Sequence, residues 1–348
     1  MISEAKIIHK LWNVLEERGY RVAGDVKVVP EEIHQALRKD ILTIDENYKI
    51  VIKKKGAPTT IDLVATDGRK FTGFVVNDSF APFEQGRVFE QLDAYTYGGM
   101  LDEIYVVIPE DIAKRVLSSY AHVIKGCAGL MVVDKDYRFH ELKDFPSHPL
   151  QRLNQPELKE NEALLKQVLW NHFESEFNVE CEGILPKPEV FKHSIFRKTS
   201  NPYSFLQKID LFLLPKGYSI TEVAYKKLDS IGVEIKYEIK SEKALKNIVK
   251  QLNRYADSRG LTRLYLATSK INEQLIEKIE RMDRKFGLLL WNGKEVETVI
   301  DAPRLEMLYD IFVYMPPSGE KVKIYEIGKP KSVKDLDFPY YHYTNTRI

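Results

Sequence analysis

The chain is poor in cysteine, with only Cys127 and Cys181 in 348 residues. Two thiols, one in each half, exclude a disulfide framework and a four-cysteine zinc site. An excess of charge is missing too, since 52 Lys and Arg stand against 51 Asp and Glu for a formal net charge of +1. That excludes a protein held on nucleic acid by bulk positive charge, although not one with a local basic patch. Apolar runs such as Leu288-Leu289-Leu290-Trp291 are far shorter than the ~20 residues that span a bilayer. Residues 1–20 are charged and amphipathic, with no signal-peptide core. The eight histidines show no zinc-ligand spacing, and there is no phosphate-binding Gly-x-x-x-x-Gly-Lys-Ser/Thr loop and no Gly-x-Ser-x-Gly elbow. These absences predict a soluble cytoplasmic protein with reduced thiols and no membrane partner.

What is present is enough apolar residue to pack cores, 44% hydrophobic and 11% aromatic, in a length that suggests two domains of ~150 residues. The two halves repeat one another. Leu11-Trp12-Asn13 matches Leu169-Trp170-Asn171 at an offset of 158, and Gln91-Leu92-Asp93-Ala94-Tyr95 matches Gln251-Leu252-Asn253-Arg254-Tyr255 at 160. Tyr105-Val106-Val107-Ile108 matches Tyr265-Leu266-Ala267-Thr268 at 160, and Gly129–Val133 matches Gly287–Trp291 at 158. Collinear matches at a nearly constant offset indicate a duplicated unit.

Each half reads as an amphipathic helix (about 3–18 and 158–176), short strands, a helix carrying the Gln/Tyr pair, a buried strand, a helix and a last strand. The fold class is therefore α/β, with two tandem domains that each layer helices on a sheet. The boundaries are 1–145 for the first domain, 146–157 for a proline-bearing linker and 158–303 for the second domain. Residues 304–348, rich in Tyr and Phe, form a C-terminal extension expected to pack on the second domain.

Polar residues interrupt the second copy where burial is otherwise expected. Asp210 breaks an apolar strand. Glu234 and Lys236 lie two apart on the next strand and share a face. Gln251 and Tyr255 lie four apart on a helix and share a face. Glu162 stands near the start of the domain's first helix. A lone acid-x-Lys says little, because the chain holds seven of them. The order carries the signal: aspartate strand, acid-x-Lys strand, fifteen residues, then Gln-x-x-x-Tyr. Glu238 and Lys240 offer a second acid-x-Lys four residues on; Glu234 and Lys236 are preferred because Gly232 then aligns with Gly73.

This constellation resembles the PD-(D/E)XK nuclease superfamily, with its restriction-endonuclease-like fold. More narrowly, it is similar to the RecB-type branch, whose helix carries Gln-x-x-x-Tyr. The resemblance covers roughly 158–300 and extends in weaker form over 1–145. Asp210 follows Ile209 where proline is usual. The resemblance implies a nuclease of two restriction-endonuclease-like domains, each a central mixed sheet flanked by helices, with magnesium, or manganese in its place, held by Asp210, Glu234 and the main-chain carbonyl of Ile235. It implies Lys236 acting on the attacking water or the developing phosphorane, Glu162 reaching the metal through water, and Gln251 and Tyr255 supporting the strand and the substrate. Magnesium's demand for oxygen ligands and retained waters suits two carboxylates plus a phosphate.

In the first copy Asp62, Glu4, Gln91 and Tyr95 match their counterparts, but Val75 stands at Glu234 and Asn77 at Lys236. Valine binds no metal and asparagine carries no charge, so this copy is expected to be inactive. Residues 73–113 carry a net charge of −7 and the matching 232–273 carry +4, so a polyanion favours the second copy. The first copy would then serve as an internal pseudo-dimer half, as a recognition surface through Lys49–Lys55, or as a stabilising remnant. The resemblance implies nucleic acid as the partner, DNA before RNA, with a homodimer or an internal pseudo-dimer as the assembly. The alternative is a non-catalytic nucleic-acid-binding or assembly protein that uses both copies as scaffolds.

Overall fold

A computed structural model describes residues 3–32, 39–44, 50–55, 59–186, 206–218, 228–258, 260–305, 311–314, 323–326 and 342–344. Up to residue 316 they fall into two compact units, one within Met1–Ala163 and the other within Leu164–Pro316.

The first half runs α1 (Glu4–Glu17), β1 (Arg21–Lys27), β2 (Lys39–Ile44), β3 (Ile50–Lys55), β4 (Thr60–Thr66), β5 (Phe71–Val76), α2 (Ala81–Glu84), α3 (Arg87–Gly98), β6 (Glu103–Pro109), α4 (Glu110–Cys127), β7 (Gly129–Val133) and β8 (Phe139–Glu141). Ser3 caps α1 by accepting from the Lys6 amide at 3.4 Å. Ile7, Leu11, Trp12 and Leu15 recur at helical spacing and are all buried. Six strands form one mixed sheet in the order β1-β4-β5-β6-β7-β8. The middle strands β5, β6 and β7 pair in parallel and the outer ones are antiparallel. β5 and β6 are buried at every position, which is why they read as unbroken apolar runs rather than alternating ones.

The second half runs α5 (Glu162–Phe173), β9 (Phe177–Pro186), β10 (Leu206–Pro215), β11 (Ile231–Ile235), β12 (Glu238–Ile239), α6 (Glu242–Ala256), β13 (Arg263–Thr268), β14 (Lys270–Ile271), α7 (Glu273–Arg281), β15 (Gly287–Trp291) and β16 (Val296–Ile300). Its six-stranded sheet has the order β9-β10-β11-β13-β15-β16. The senses of pairing repeat those of the first sheet: antiparallel, antiparallel, parallel, parallel, antiparallel. The chain is thus α/β with two mixed six-stranded sheets flanked by helices, and the two sheets share one topology.

One glycine pair shows that the correspondence extends to packing. A β-carbon on Gly232 would lie 2.5 Å from the Ile209 δ-methyl and 2.6 Å from a Leu261 δ-methyl. On Gly73 it would meet the matching Ile61 and Leu101 methyls, each at 2.6 Å. Only a bare α-carbon lets those buried side chains close over the strand.

Residues 142–161, which include the linker segment 146–157, hold no helix or strand, yet they are tied to the first unit. The amides of Leu150 and Leu153 donate to the Asp102 and Gly99 carbonyls at 2.7 Å each, and the Arg152 guanidinium meets Asp102 at 2.6 Å. In the C-terminal extension, β17 (Ile311–Tyr314), β18 (Lys323–Glu326) and β19 (His342–Thr344) form a three-stranded antiparallel sheet. No helix among the described residues is long and apolar enough to cross a membrane.

Candidate active site

The site is built on β10, β11 and α6 of the second unit. β10 and β11 are antiparallel with Leu211 opposite Val233, which sets Asp210 beside Glu234. The Ile235 amide donates to Asp210 Oδ2 at 2.7 Å and holds that half-buried carboxylate against the neighbouring strand. Glu234 is only 3% exposed. Lys236 Nζ lies 2.8 Å from Glu234 Oε1 and donates to the Ile235 carbonyl at 2.7 Å. The Lys236 amide donates to Ala267 O at 2.9 Å, so the main chain is anchored on both sides of the acid.

Helix α6 supplies the support. Ser241 caps it by accepting from the Ala244 amide at 3.3 Å, and Leu245, Ile248, Leu252 and Tyr255 bury one face. On that face Gln251 Nε2 donates to Glu234 Oε1 at 2.8 Å and to the Tyr255 hydroxyl at 2.6 Å. Tyr255 in turn donates to the Lys208 carbonyl at 2.5 Å. One continuous chain of hydrogen bonds therefore runs from β10 through Tyr255 and Gln251 to Glu234 and Lys236. The Lys208 carbonyl is a working part that side-chain patterns cannot flag, because any residue provides it.

Burial, and then the Asp210 carboxylate beside it, pushes Glu234 up to about 7, against the pull of Lys236. Burial also raises the Tyr255 hydroxyl, so it acts as a hydrogen-bond donor. Tyr255→Phe keeps the ring and loses one hydrogen bond. Its expected cost is about 1 kcal/mol of stability, read by urea unfolding.

The first unit keeps the frame and lacks the centre. Asp62 Oδ2 accepts from the Val76 amide at 2.7 Å, as Asp210 does from Ile235. Tyr95 donates to the Thr60 carbonyl and is bonded by Gln91. The Asn77 amide donates to Val107 O at 3.0 Å, in the place of Lys236 and Ala267. Val75 is 1% exposed, and the buried Asn77 side-chain nitrogen finds no partner among the described residues. Burial, with Asp25 nearby, pushes Asp62 up to about 6. Asp25 itself takes a left-handed φ of 51° within β1, which the sequence does not signal.

Glu162 opens α5 with an exposed side chain. Glu238 and Lys240 do not continue β11. The strand ends at Ile235, and Glu238 lies on β12, which pairs with β14 in a separate two-stranded ladder. There Lys240 meets Glu238 at 3.0 Å with both side chains exposed. The preferred register, Glu234 with Lys236, is the one that shares contacts with Asp210, Gln251 and Tyr255.

No group of three or more His, Cys, Asp or Glu side chains gathers as a metal site among the described residues. The oxygens at hand are the Asp210 and Glu234 carboxylates and the Ile235 carbonyl. Two adjacent carboxylates, one of them nearly sealed from water and raised by the other, suit a hard divalent cation that keeps several waters.

No protein-family model matches the chain, and no curated protein does. Among solved structures it is similar to the SPO1766 protein of unknown function from Silicibacter pomeroyi. The two are 14% identical over 43% of this chain and 77% of that one, with a TM-score of 0.26, at which the match carries no argument about fold or function.

Proposed function

We propose that the chain is a metal-dependent nuclease made of two restriction-endonuclease-like domains, the second active and the first a degenerate copy. One observation carries the reading. A buried glutamate beside an aspartate is held by a lysine and by the Gln/Tyr pair of α6, while its counterpart in an otherwise matching frame is valine. Magnesium or manganese would be held by Asp210, Glu234 and the Ile235 carbonyl, and when bound it supplies an acidified water and neutralises charge on a phosphate. Gln251 and Tyr255 hold Glu234 in place. Lys236 keeps an ammonium at the carboxylate pair, able to hold a proton-donating contact to a phosphate oxygen or a water. Glu162 remains a proposed water-mediated contributor. The substrate is nucleic acid, DNA first, and the compartment cytoplasmic.

The test is cleavage of supercoiled plasmid with magnesium or manganese, Lys236→Ala serving as the control. Nicked or linear product from the wild type, and none from the variant, supports the proposal. Binding without cleavage under all metals favours the alternative, a non-catalytic nucleic-acid-binding or assembly protein.

A further inference from the structure

Helix α6 has a second face that the site does not use. Lys243, Lys246, Lys250 and Arg254 are all exposed, and their spacing of i, i+3, i+7 and i+11 puts them on one side of the helix over about 16 Å. The helix holds one acid, Glu242, and Lys278 engages it at 2.6 Å. Among the described residues no ion pair holds Lys243 or Lys250, and Lys246 acts on Glu242 through its charge, after Lys278. Lys250 and Arg254 immediately precede Gln251 and Tyr255, so the basic face borders the face that holds Glu234. In the first copy the matching positions are Phe83, Gly86, Glu90 and Ala94. The basic row is thus absent from the copy that also lacks the acid and the lysine of the site. A solvated face kept only for solubility has no reason to follow that division.

We propose that this face is a rail for a nucleic-acid backbone, with Lys243, Lys246, Lys250 and Arg254 contacting successive phosphates of the strand whose scissile bond lies at Asp210 and Glu234. The inference rests on the nuclease reading and adds to it the surface that positions the substrate. Phosphate contacts of this kind set register without reading bases, so the rail confers affinity and salt dependence and no sequence preference.

The experiment measures binding of short labelled duplex and single-stranded DNA to the full chain by fluorescence anisotropy, without divalent metal, over a series of salt concentrations. Lys243→Gln, Lys246→Gln and Lys250→Gln are combined in one variant, because glutamine keeps helix propensity. Binding should weaken at least about tenfold near physiological salt, and the slope of log K against log salt should fall by about two to three. Whichever of the two oligonucleotides shows this drop is the substrate form. A control variant, Lys114→Gln with Lys216→Gln and Lys294→Gln, removes the same charge away from α6 and should leave the slope unchanged. If metal-free binding is too weak to measure, the KM for plasmid is read instead, and a rise with kcat unchanged supports the rail. An unchanged slope or KM in the α6 variant, or an equal change in the control, overturns the rail and leaves a cleaving wild type a nuclease. Capture by anionic lipid vesicles with no binding of either DNA overturns it as well. A wild type that neither binds nor cleaves removes the nuclease reading together with the rail.

Discussion

Asp210→Ala and Glu234→Ala should each abolish metal binding and cleavage together, whereas Lys236→Met should abolish most cleavage and keep the metal. Each carboxylate is half of the acidic pair that β10 and β11 set side by side. Losing one removes several kcal/mol of charge stabilisation, about a thousandfold in rate or more. Lys236 touches Glu234 Oε1 and the Ile235 carbonyl, two oxygens that a cation would also use. Its removal therefore leaves those oxygens open and should not weaken the metal at alkaline pH. The expected loss of single-turnover rate is about a hundred- to thousandfold, that of removing one preorganised donor aimed at developing charge. Calorimetry with manganese and single-turnover cleavage separate the two effects. Equal loss of metal affinity in all three variants would make Lys236 a structural residue, and full cleavage by Asp210→Ala would place the chemistry elsewhere. Asp62→Ala in the first unit should leave the cleavage rate unchanged.

The sequence carried more of this site than of its surroundings. Asp210 and Glu234 are legible because each interrupts a strand that is otherwise apolar, and Gln251 with Tyr255 because four residues make one helical turn. The repeat favours Glu234 with Lys236 over Glu238 with Lys240 by aligning Gly232 with Gly73, two glycines that face matching methyls in the structure. That β11 ends at Ile235 was not legible. The Tyr237 carbonyl accepts from the Ser269 and Lys270 amides and starts a new ladder, and no side-chain pattern reports a carbonyl's partner. β16 was equally hidden as a distinct strand, because its middle positions Glu297, Thr298 and Val299 are exposed and show no clean alternation. The proline-bearing segment 146–157 reads as a linker, and that its Arg152 finds Asp102, a pairing 50 residues apart in sequence, is something composition cannot foresee. What escapes the sequence at the end of β11 and in segment 146–157 is a main-chain or long-range polar contact.

The burial of Glu234 gives the second large effect, on stability against pH. Its acidity in the folded chain is shifted up to about 7 from 4.5, so the folded state binds the proton more tightly than the unfolded one. Stability therefore falls as pH rises between those two values and stays low above the upper one. The fully developed penalty is on the order of 3 kcal/mol. Glu234→Gln keeps an acceptor for Lys236 and Gln251 and cannot ionise, so it should be more stable than the wild type at pH 8 by up to that amount and equal to it near pH 4. Asp62, pushed up to about 6, adds a slope of the same sign in the other unit. It is present in both proteins and cancels in their difference. A divalent cation acts in the opposite direction, because it binds only the ionised pair. Magnesium should raise the melting temperature of the wild type at pH 8, lose that effect by pH 5, and leave Glu234→Gln nearly unmoved. Thermal melts over this pH range, with and without magnesium, test both halves. A magnesium shift of the same size at pH 5 and pH 8, or one that survives in Glu234→Gln, would show that the cation binds away from this carboxylate pair. No stability difference between wild type and Glu234→Gln at pH 8 would mean that Lys236 already compensates the buried charge in full.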